Sequence, residues 1–212
     1  VDSSIAAAIL KRQGYDVVGM MLRLWSEPGK ENSNRCCTPD AIALARRVAA
    51  QLDIPFYVVD AKDVFRSTVV NYFLEGYLQG GTPNPCLVCN RTIRWKFLLE
   101  HALAIGAEYM ATGHYVRLRS ITKNSSDRPS KEEIQLLRAI DRGKDQSYVL
   151  HVLDQEQLGK ALFPVGDFPK VEIRGWQMNW GCLPLPDRIA RIYVSWQEKI
   201  TGNLSNGTPR KA

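Results

Sequence analysis

The chain has 212 residues, room for one medium-sized domain or for one domain and part of a second. Its composition, 45% hydrophobic and 24% charged, is ordinary for a globular protein, and no run of 18 or more apolar residues offers a membrane span. The net charge of +6 hints at an anionic partner, but residues 175–212 hold five Lys/Arg against two Asp/Glu, so half the excess sits in the tail and charge alone does not establish nucleic-acid binding.

Ser4–Gln13 reads as a helix ended by Gly14, and Asp16–Trp25 as a strand almost continuous in apolar residues. Asp40–Leu52 places Ile42, Ala45, Val48, Ala49 and Leu52 on one helical face; Ile54–Asp60 is a second buried strand. Val64–Leu78 is a long helix closed by Gly80-Gly81, Thr92–Ile105 another, and Tyr109–Tyr115 a third strand. Polar Ser120–Glu133 reads as a solvated hairpin tip or an insertion, with Ile134–Ile140 and Tyr148–Leu153 as strands flanking the turn Asp141–Gln146. Alternating buried strands and amphipathic helices indicate an α/β fold, a parallel sheet with helices on both faces, whose ligands bind at the carboxyl ends of strands. From Gly175 the helical periodicity is lost, so residues 175–212 are expected to be irregular and residues 1–174 to form the domain.

The five cysteines, at 36, 37, 86, 89 and 182, are odd in number and poorly spaced for a disulfide framework, which fits a reducing intracellular compartment. In Thr82-Pro83-Asn84-Pro85-Cys86-Leu87-Val88-Cys89-Asn90 two prolines stiffen the loop and a helix is expected directly after the cysteines. A thiol held at a helix N-terminus feels the positive end of the helix dipole, which favours the thiolate. The alternatives are a buried structural pair and a zinc site with Cys36 and Cys37, whose adjacency is awkward for tetrahedral ligation. Three weaker signals accompany the loop. Val1-Asp2-Ser3-Ser4 offers hydroxyls and backbone N–H groups to an anion, or is an ordinary N-cap. Gly113-His114 ends a strand where a backbone could approach a ligand, although a lone histidine is more often structural. Lys144-Asp145-Gln146 by default is a solvated turn.

In order, Val-Asp-Ser-Ser at 1–4, Gly-Tyr-Asp-Val-Val-Gly at 14–19, Thr-Pro-Asn-Pro-Cys at 82–86, Cys-Asn-Arg at 89–91, Ala-Thr-Gly-His-Tyr at 111–115, Lys-Asp-Gln-Ser-Tyr at 144–148 and Leu-Phe-Pro-Val-Gly at 162–166 resemble the bacterial and organellar tRNA-specific 2-thiouridylases. These enzymes place sulfur at C2 of the wobble uridine. The resemblance implies a Rossmann-like sheet of the adenine-nucleotide alpha-hydrolase type that uses ATP and Mg²⁺. It puts Val1, Asp2 and Ser3 in the phosphate loop and Leu22 and Gly113 beside the nucleotide. It puts Asn84, Pro85 and Cys86 at the target base, makes Cys89 the catalytic thiol, and gives His114, Lys144, Asp145 and Gln146 contacts to tRNA. The implied partners are the anticodon stem-loop of tRNA and a persulfide donor or sulfur-relay protein, with no membrane, in the cytoplasm or an organellar matrix. A second cysteine, loaded as a persulfide, would supply the sulfur, and Cys89 would resolve it as a disulfide.

Three departures matter. The position of Cys86 is often Asp in relatives. The phosphate loop starts here only at Val1, which points to a missing start. The family's Ser-Gln-Asp-Leu-Cys-Phe-like segment, carrying the second cysteine, has no counterpart, and Cys182 matches no motif. Codons for Arg188 through Trp196 can be chosen so that an alternate frame reads Asp-Ser-Gln-Asp-Leu-Cys-Phe-Leu, so a frameshifted tail and an inactive chain are expected. DNA sequence across codon 175 decides the first point. The rival readings are another ATP pyrophosphatase and a non-catalytic metal or RNA-binding module built on Cys86 and Cys89.

Overall fold

The computed structural model describes residues 2–27, 39–125, 128–179 and 193–196. Val1, Cys36, Cys37 and Cys182 lie outside the described residues, as does most of the tail.

Helix α1 (Asp2–Arg12) buries every residue from Ser3 to Leu10. The small side chains Ala6, Ala7 and Ala8 allow this, because they let the helix lie close on the sheet. Gly14, at φ 88°, ends the helix in the left-handed conformation that glycine adopts without strain. Strand β1 (Val17–Arg23) follows and pairs in parallel with β2 (Phe56–Asp60) from Gly19↔Phe56 to Arg23↔Asp60. Between them α2 (Pro39–Gln51) buries Ala41, Ala45, Val48 and Ala49, the three-and-four spacing of one helical face. Period-two alternation in β1 divides the core. Val17 and Met21 join α1 and α2 on one face, and Met20 and Leu22 join Ile93, Trp95 and Leu98 on the other. Trp95 is fully buried, a contribution of about 3 kcal/mol by transfer of its apolar surface.

That second face is built by α3 (residues 62–78) and α4 (residues 85–104). Helix α3 loosens to π winding over Arg66–Val70, and α4 does so over Cys89–Leu98. The chain then enters β3 (Met110–Ala111), a hairpin of β4 (Val116–Ser125) and β5 (Arg128–Arg138), the short helices α5 (Ser147–Leu150) and α6 (Gln155–Gly159), β6 (Ala161–Leu162), α7 (Lys170–Asn179) and β7 (Tyr193–Trp196). The main sheet has the order β2-β1-β7-β3-β6, with β3 parallel to β6 and β7 antiparallel to both neighbours.

The parallel α/β architecture expected from sequence is present, and the differences are local. Helix α4 starts at Pro85, not after the cysteines, because Asn84 caps it and proline is pre-organised for the first helical position. The strand expected over Tyr109–Tyr115 shrinks to Met110–Ala111, since the backbone turns away at Gly113. Tyr148–Leu153 is not a strand. Ser147–Leu150 forms a helical turn, and β5 pairs along its length with β4 instead. Helix α7 continues past Gly175 to Asn179; a side chain at Gly175 would meet nothing within 4 Å, so glycine marks an open face there rather than a stop. Residues 193–196 of the tail, read as irregular, form a strand inside the sheet.

Candidate functional site

The head of α1 lies at the carboxyl end of the sheet, where α/β folds place ligands. Asp2 accepts two hydrogen bonds on one carboxylate oxygen, from the Tyr115 hydroxyl at 2.9 Å and from Lys170 Nζ at 2.5 Å. The Lys170 ammonium also stands 5.7 Å from the centre of the Tyr115 ring. Burial, then the neighbouring Asp2 charge, raises the Tyr115 pKa above its usual value, so the hydroxyl keeps its proton and donates. Ser4 Oγ, in the first turn of α1, is buried and has no hydrogen-bond partner among the described residues. Gly113 closes this corner. A Cβ there would stand 2.5 Å from Ser3 N and 2.7 Å from the Asp2 carbonyl carbon, so only glycine lets the strand end approach the helix. Leu22 is buried in β1 opposite Val59.

The cysteine loop is the second cluster. The Asn84 side chain accepts from the backbone N–H of Cys86 at 3.1 Å and of Leu87 at 3.4 Å, and Pro85 fixes the first helical residue. Cys86 is exposed and Cys89 half-buried, and neither is in a disulfide with another described residue. Cys89 packs against the apolar cluster that contains Leu22, Phe163 and Val116. The next residue, Asn90, is buried; it donates to the Val149 carbonyl at 3.0 Å and accepts from Arg94. Cys89 therefore sits, partly exposed, on a helical turn held from below.

Arg94, which donates to Asn90, and His114, next to Gly113, are both buried. His114 is buried, its Nδ1 lies 2.7 Å from Thr112 Oγ1, and its ring meets Phe163 edge-on at 6.4 Å. Burial, reinforced by the Arg94 charge, lowers its pKa to about 3, so the ring is neutral near pH 7. A tRNA contact through that ring would need it to leave the core. Asp145 and Gln146 likewise have structural work. Burial pushes the Asp145 carboxyl up, but the Ala139 N–H at 2.9 Å, the Ser147 hydroxyl at 2.7 Å, the Ser147 backbone and Arg138 hold it below the usual range. Gln146 accepts from Tyr115 N at 3.0 Å and returns a backbone bond to Tyr115 O at 2.9 Å. Of that trio only Lys144 presents an exposed side chain, on the turn Arg142–Lys144.

The structure thus gathers Asp2, Ser3 and Gly113 at one point and Asn84, Pro85, Cys86 and Cys89 at another. It adds Lys170, which lies outside every motif, and Tyr115, which the Ala-Thr-Gly-His-Tyr motif contains but to which no role was given. One signal was present: Lys170 is the first residue of a helix, where a cation opposes the helix dipole and so needs a carboxylate partner. Among the described residues no group of three or more His, Cys, Asp or Glu gathers to hold a metal, and no helix is long and apolar enough to cross a membrane. The four-cysteine zinc reading rests on Cys36 and Cys37, outside the described residues.

The model of the family "tRNA methyl transferase HUP domain" matches residues 1–184. A tRNA-specific 2-thiouridylase MnmA of Moorella thermoacetica is 48% identical over 183 residues, 85% of this chain and 49% of that protein. Proteins of the same name from Clostridium perfringens and Roseiflexus castenholzii are each 46% identical, covering 82% of this chain and 46% and 49% of their own lengths. The chain spans about half the length of the curated relatives it matches.

Proposed function

Since this chain belongs to the family described as the tRNA methyl transferase HUP domain, alongside the tRNA-specific 2-thiouridylases, we propose that it is the nucleotide-binding part of an ATP-dependent tRNA uridine 2-sulfurtransferase. The observations that support the reading are a partly exposed Cys89 on an Asn84-capped helix and a helix N-terminus that Gly113 approaches closely.

The residues present fit a nucleotide. The head of α1 offers backbone N–H groups, the orphaned Ser4 hydroxyl and the nearby Lys170 ammonium to phosphate, and Gly113 leaves room for close approach. Asp2 would be the carboxylate to hold Mg²⁺, which would neutralise phosphate charge there. ATP bound there supplies the phosphoryl chemistry that turns the uracil C2 oxygen into a leaving group. Asn84, Pro85 and Cys86 present a stiff edge to the target base, which must leave the anticodon stack to be reached. Lys144 on its exposed turn meets the tRNA backbone.

Cys89 handles the sulfur. Its thiolate attacks the inner sulfur of a persulfide R–S–SH; the S–S bond breaks, hydrosulfide departs, and an R–S–S–Cys89 disulfide forms that a thiol reductant resets. Hydrosulfide is then the nucleophile for the activated C2. The 212-residue chain by itself contains no counterpart of the family's second cysteine segment and should turn over no tRNA. The setting proposed for this chemistry is the cytoplasm, or the organellar matrix in a eukaryote.

Nucleoside mass spectrometry of tRNA incubated with ATP and a persulfide donor tests the reading. A protein of the relatives' length carrying this segment should form 2-thiouridine, and Cys89→Ser should lower the yield at least 100-fold. Unchanged yield in that variant removes Cys89 from the chemistry; vigorous thiolation by the 212-residue chain refutes its inactivity.

A further inference from the structure

The opening turn of α4 carries two thiols, at positions 86 and 89. The Asn84 side chain caps the turn through the N–H groups of Cys86 and Leu87, and Pro85 fixes its first residue. The Cys89 N–H donates both to the Pro85 carbonyl and to the Cys86 carbonyl. The second of these bonds is the i→i+3 bond of a 3₁₀ turn, in which the side chains of residues i and i+3 eclipse. The cap and this shared bond bring Cys86 and Cys89 onto one side of the helix. Winding of this kind separates the Cα atoms of such a pair by about 5–6 Å, inside the window of about 4.4–6.8 Å that a disulfide spans.

The two sulfurs do not share one environment. Cys86 is exposed, whereas Cys89 is half-buried and packs, with Val88, against the apolar cluster of Leu22, Val116 and Phe163. The anchor below the turn is firm, because Asn90 is buried and donates to the Val149 carbonyl at 3.0 Å. From Cys89 to Leu98 the helix loosens to π winding, so the pair stands where one winding gives way to another. A change of winding within a helix marks a hinge, and a small adjustment there lets the sulfurs meet.

We propose that Cys86 is the resolving thiol for Cys89, and that the two form a dithiol–disulfide couple on the first turn of α4. The Cys86 thiolate attacks the Cys89 sulfur of a mixed disulfide R–S–S–Cys89. A Cys86–Cys89 bond forms, the bond from Cys89 to R–S breaks, and the electron pair leaves with R as a thiolate. A dithiol reductant then resets the couple. Its first thiolate attacks the exposed Cys86 sulfur and releases Cys89 as a thiolate. Its second thiol closes on the first, which frees Cys86 and leaves the reductant as a disulfide, two electrons having passed to the couple. Cys89 is cleared in this way without an external thiol having to reach a half-buried sulfur. The identity of R as a persulfide carrier rests on the function proposed above; the couple itself does not.

Trypsin releases both thiols on one peptide, residues 67–91, which holds no other cysteine. The native full chain is exposed to glutathione disulfide, quenched with iodoacetamide and digested, and the peptide is weighed by mass spectrometry. Most of it should carry the internal Cys86–Cys89 disulfide and little of it glutathione. In Cys86→Ser, glutathione should stay on Cys89 at a level at least tenfold above the parent. A comparison without any variant accompanies this one. In urea sufficient to unfold the chain the turn is lost, and the parent's ratio of internal disulfide to glutathione adduct should drop at least tenfold. Glutathione held on Cys89 by the parent as fully as by the variant would show that Cys86 does not resolve it. Equal ratios in the native and unfolded chains would show that the fold does not build the couple. Either result overturns the proposal. The assay contains neither ATP nor tRNA, so its failure leaves the thiolation reading standing, and a failure of thiolation leaves the couple standing.

Discussion

Replacing His114 by Asn removes a titratable ring from a position where the fold holds it neutral. In the unfolded chain this imidazole takes up a proton as the pH drops below its ordinary value of 6.5, whereas in the native protein burial and Arg94 delay protonation to about pH 3. Protons therefore bind the unfolded state preferentially between those limits, and stability falls as pH falls through that window. Above pH 7 both states are neutral and the ring contributes no pH dependence. From pH 7 to pH 5 the loss attributable to His114 is about 2 kcal/mol, since each pH unit in the window costs up to about 1.4 kcal/mol. Urea titrations of parent and His114→Asn at both pH values measure it. The substitution also disturbs the Phe163 contact and the Thr112 bond, so absolute stabilities will differ. The slope is the diagnostic quantity, because other groups titrate alike in both proteins. The parent should lose about 2 kcal/mol more than the variant between pH 7 and 5. Parallel losses, equal to within about 0.5 kcal/mol, would refute the claim that this ring is excluded from protonation.

Other substitutions probe the rest of the site. Lys170→Met removes the ammonium that donates to Asp2, at a cost of about 1–3 kcal/mol in chemical denaturation; it should also weaken ATP binding at least tenfold by calorimetry, with Lys170→Arg recovering part of both. Equal ATP affinity in parent and Met variant would separate Lys170 from the phosphates. In Gly166→Ala the new Cβ would sit 1.8 Å from the Val116 carbonyl oxygen, a backbone atom that cannot rotate away, so thermal unfolding should drop by the equivalent of about 3 kcal/mol or more. An unchanged transition would show that β4 is free to shift. Asn84→Ala removes the cap of α4 and should cost about 1 kcal/mol, whereas Asn84→Asp should cost little; equal losses in the two would place the effect elsewhere than the cap.

Residues whose neighbours are close in sequence were legible, and residues completed by distant ones were not. The small and apolar spacing of Ala41, Ala45, Val48 and Ala49 marks α2 without help from the rest of the chain. The β1–β2 pair was readable for the same reason. Strand β3 is two residues long and exists because β6 and β7 flank it, information that Met110 and Ala111 do not carry. The start of α4 was readable in principle, since Asn-Pro is a cap followed by a favoured first residue, but the cysteines drew the boundary too late. His114 looked like a strand-end ligand residue; its burial depends on Arg94 and Phe163, which approach only in three dimensions. Lys170 escaped because its carboxylate partner is 168 positions away. The tail strand was unreadable because its pairing partners, not its own periodicity, make it a strand.

One Asp2 oxygen fastens α1 in two directions, to Tyr115 just ahead of β4 and to Lys170 at the start of α7. The same ammonium that seats α7 on Asp2 is the nearest cation to the head of α1, so the footing of that helix and the charge available at the corner rest on one side chain.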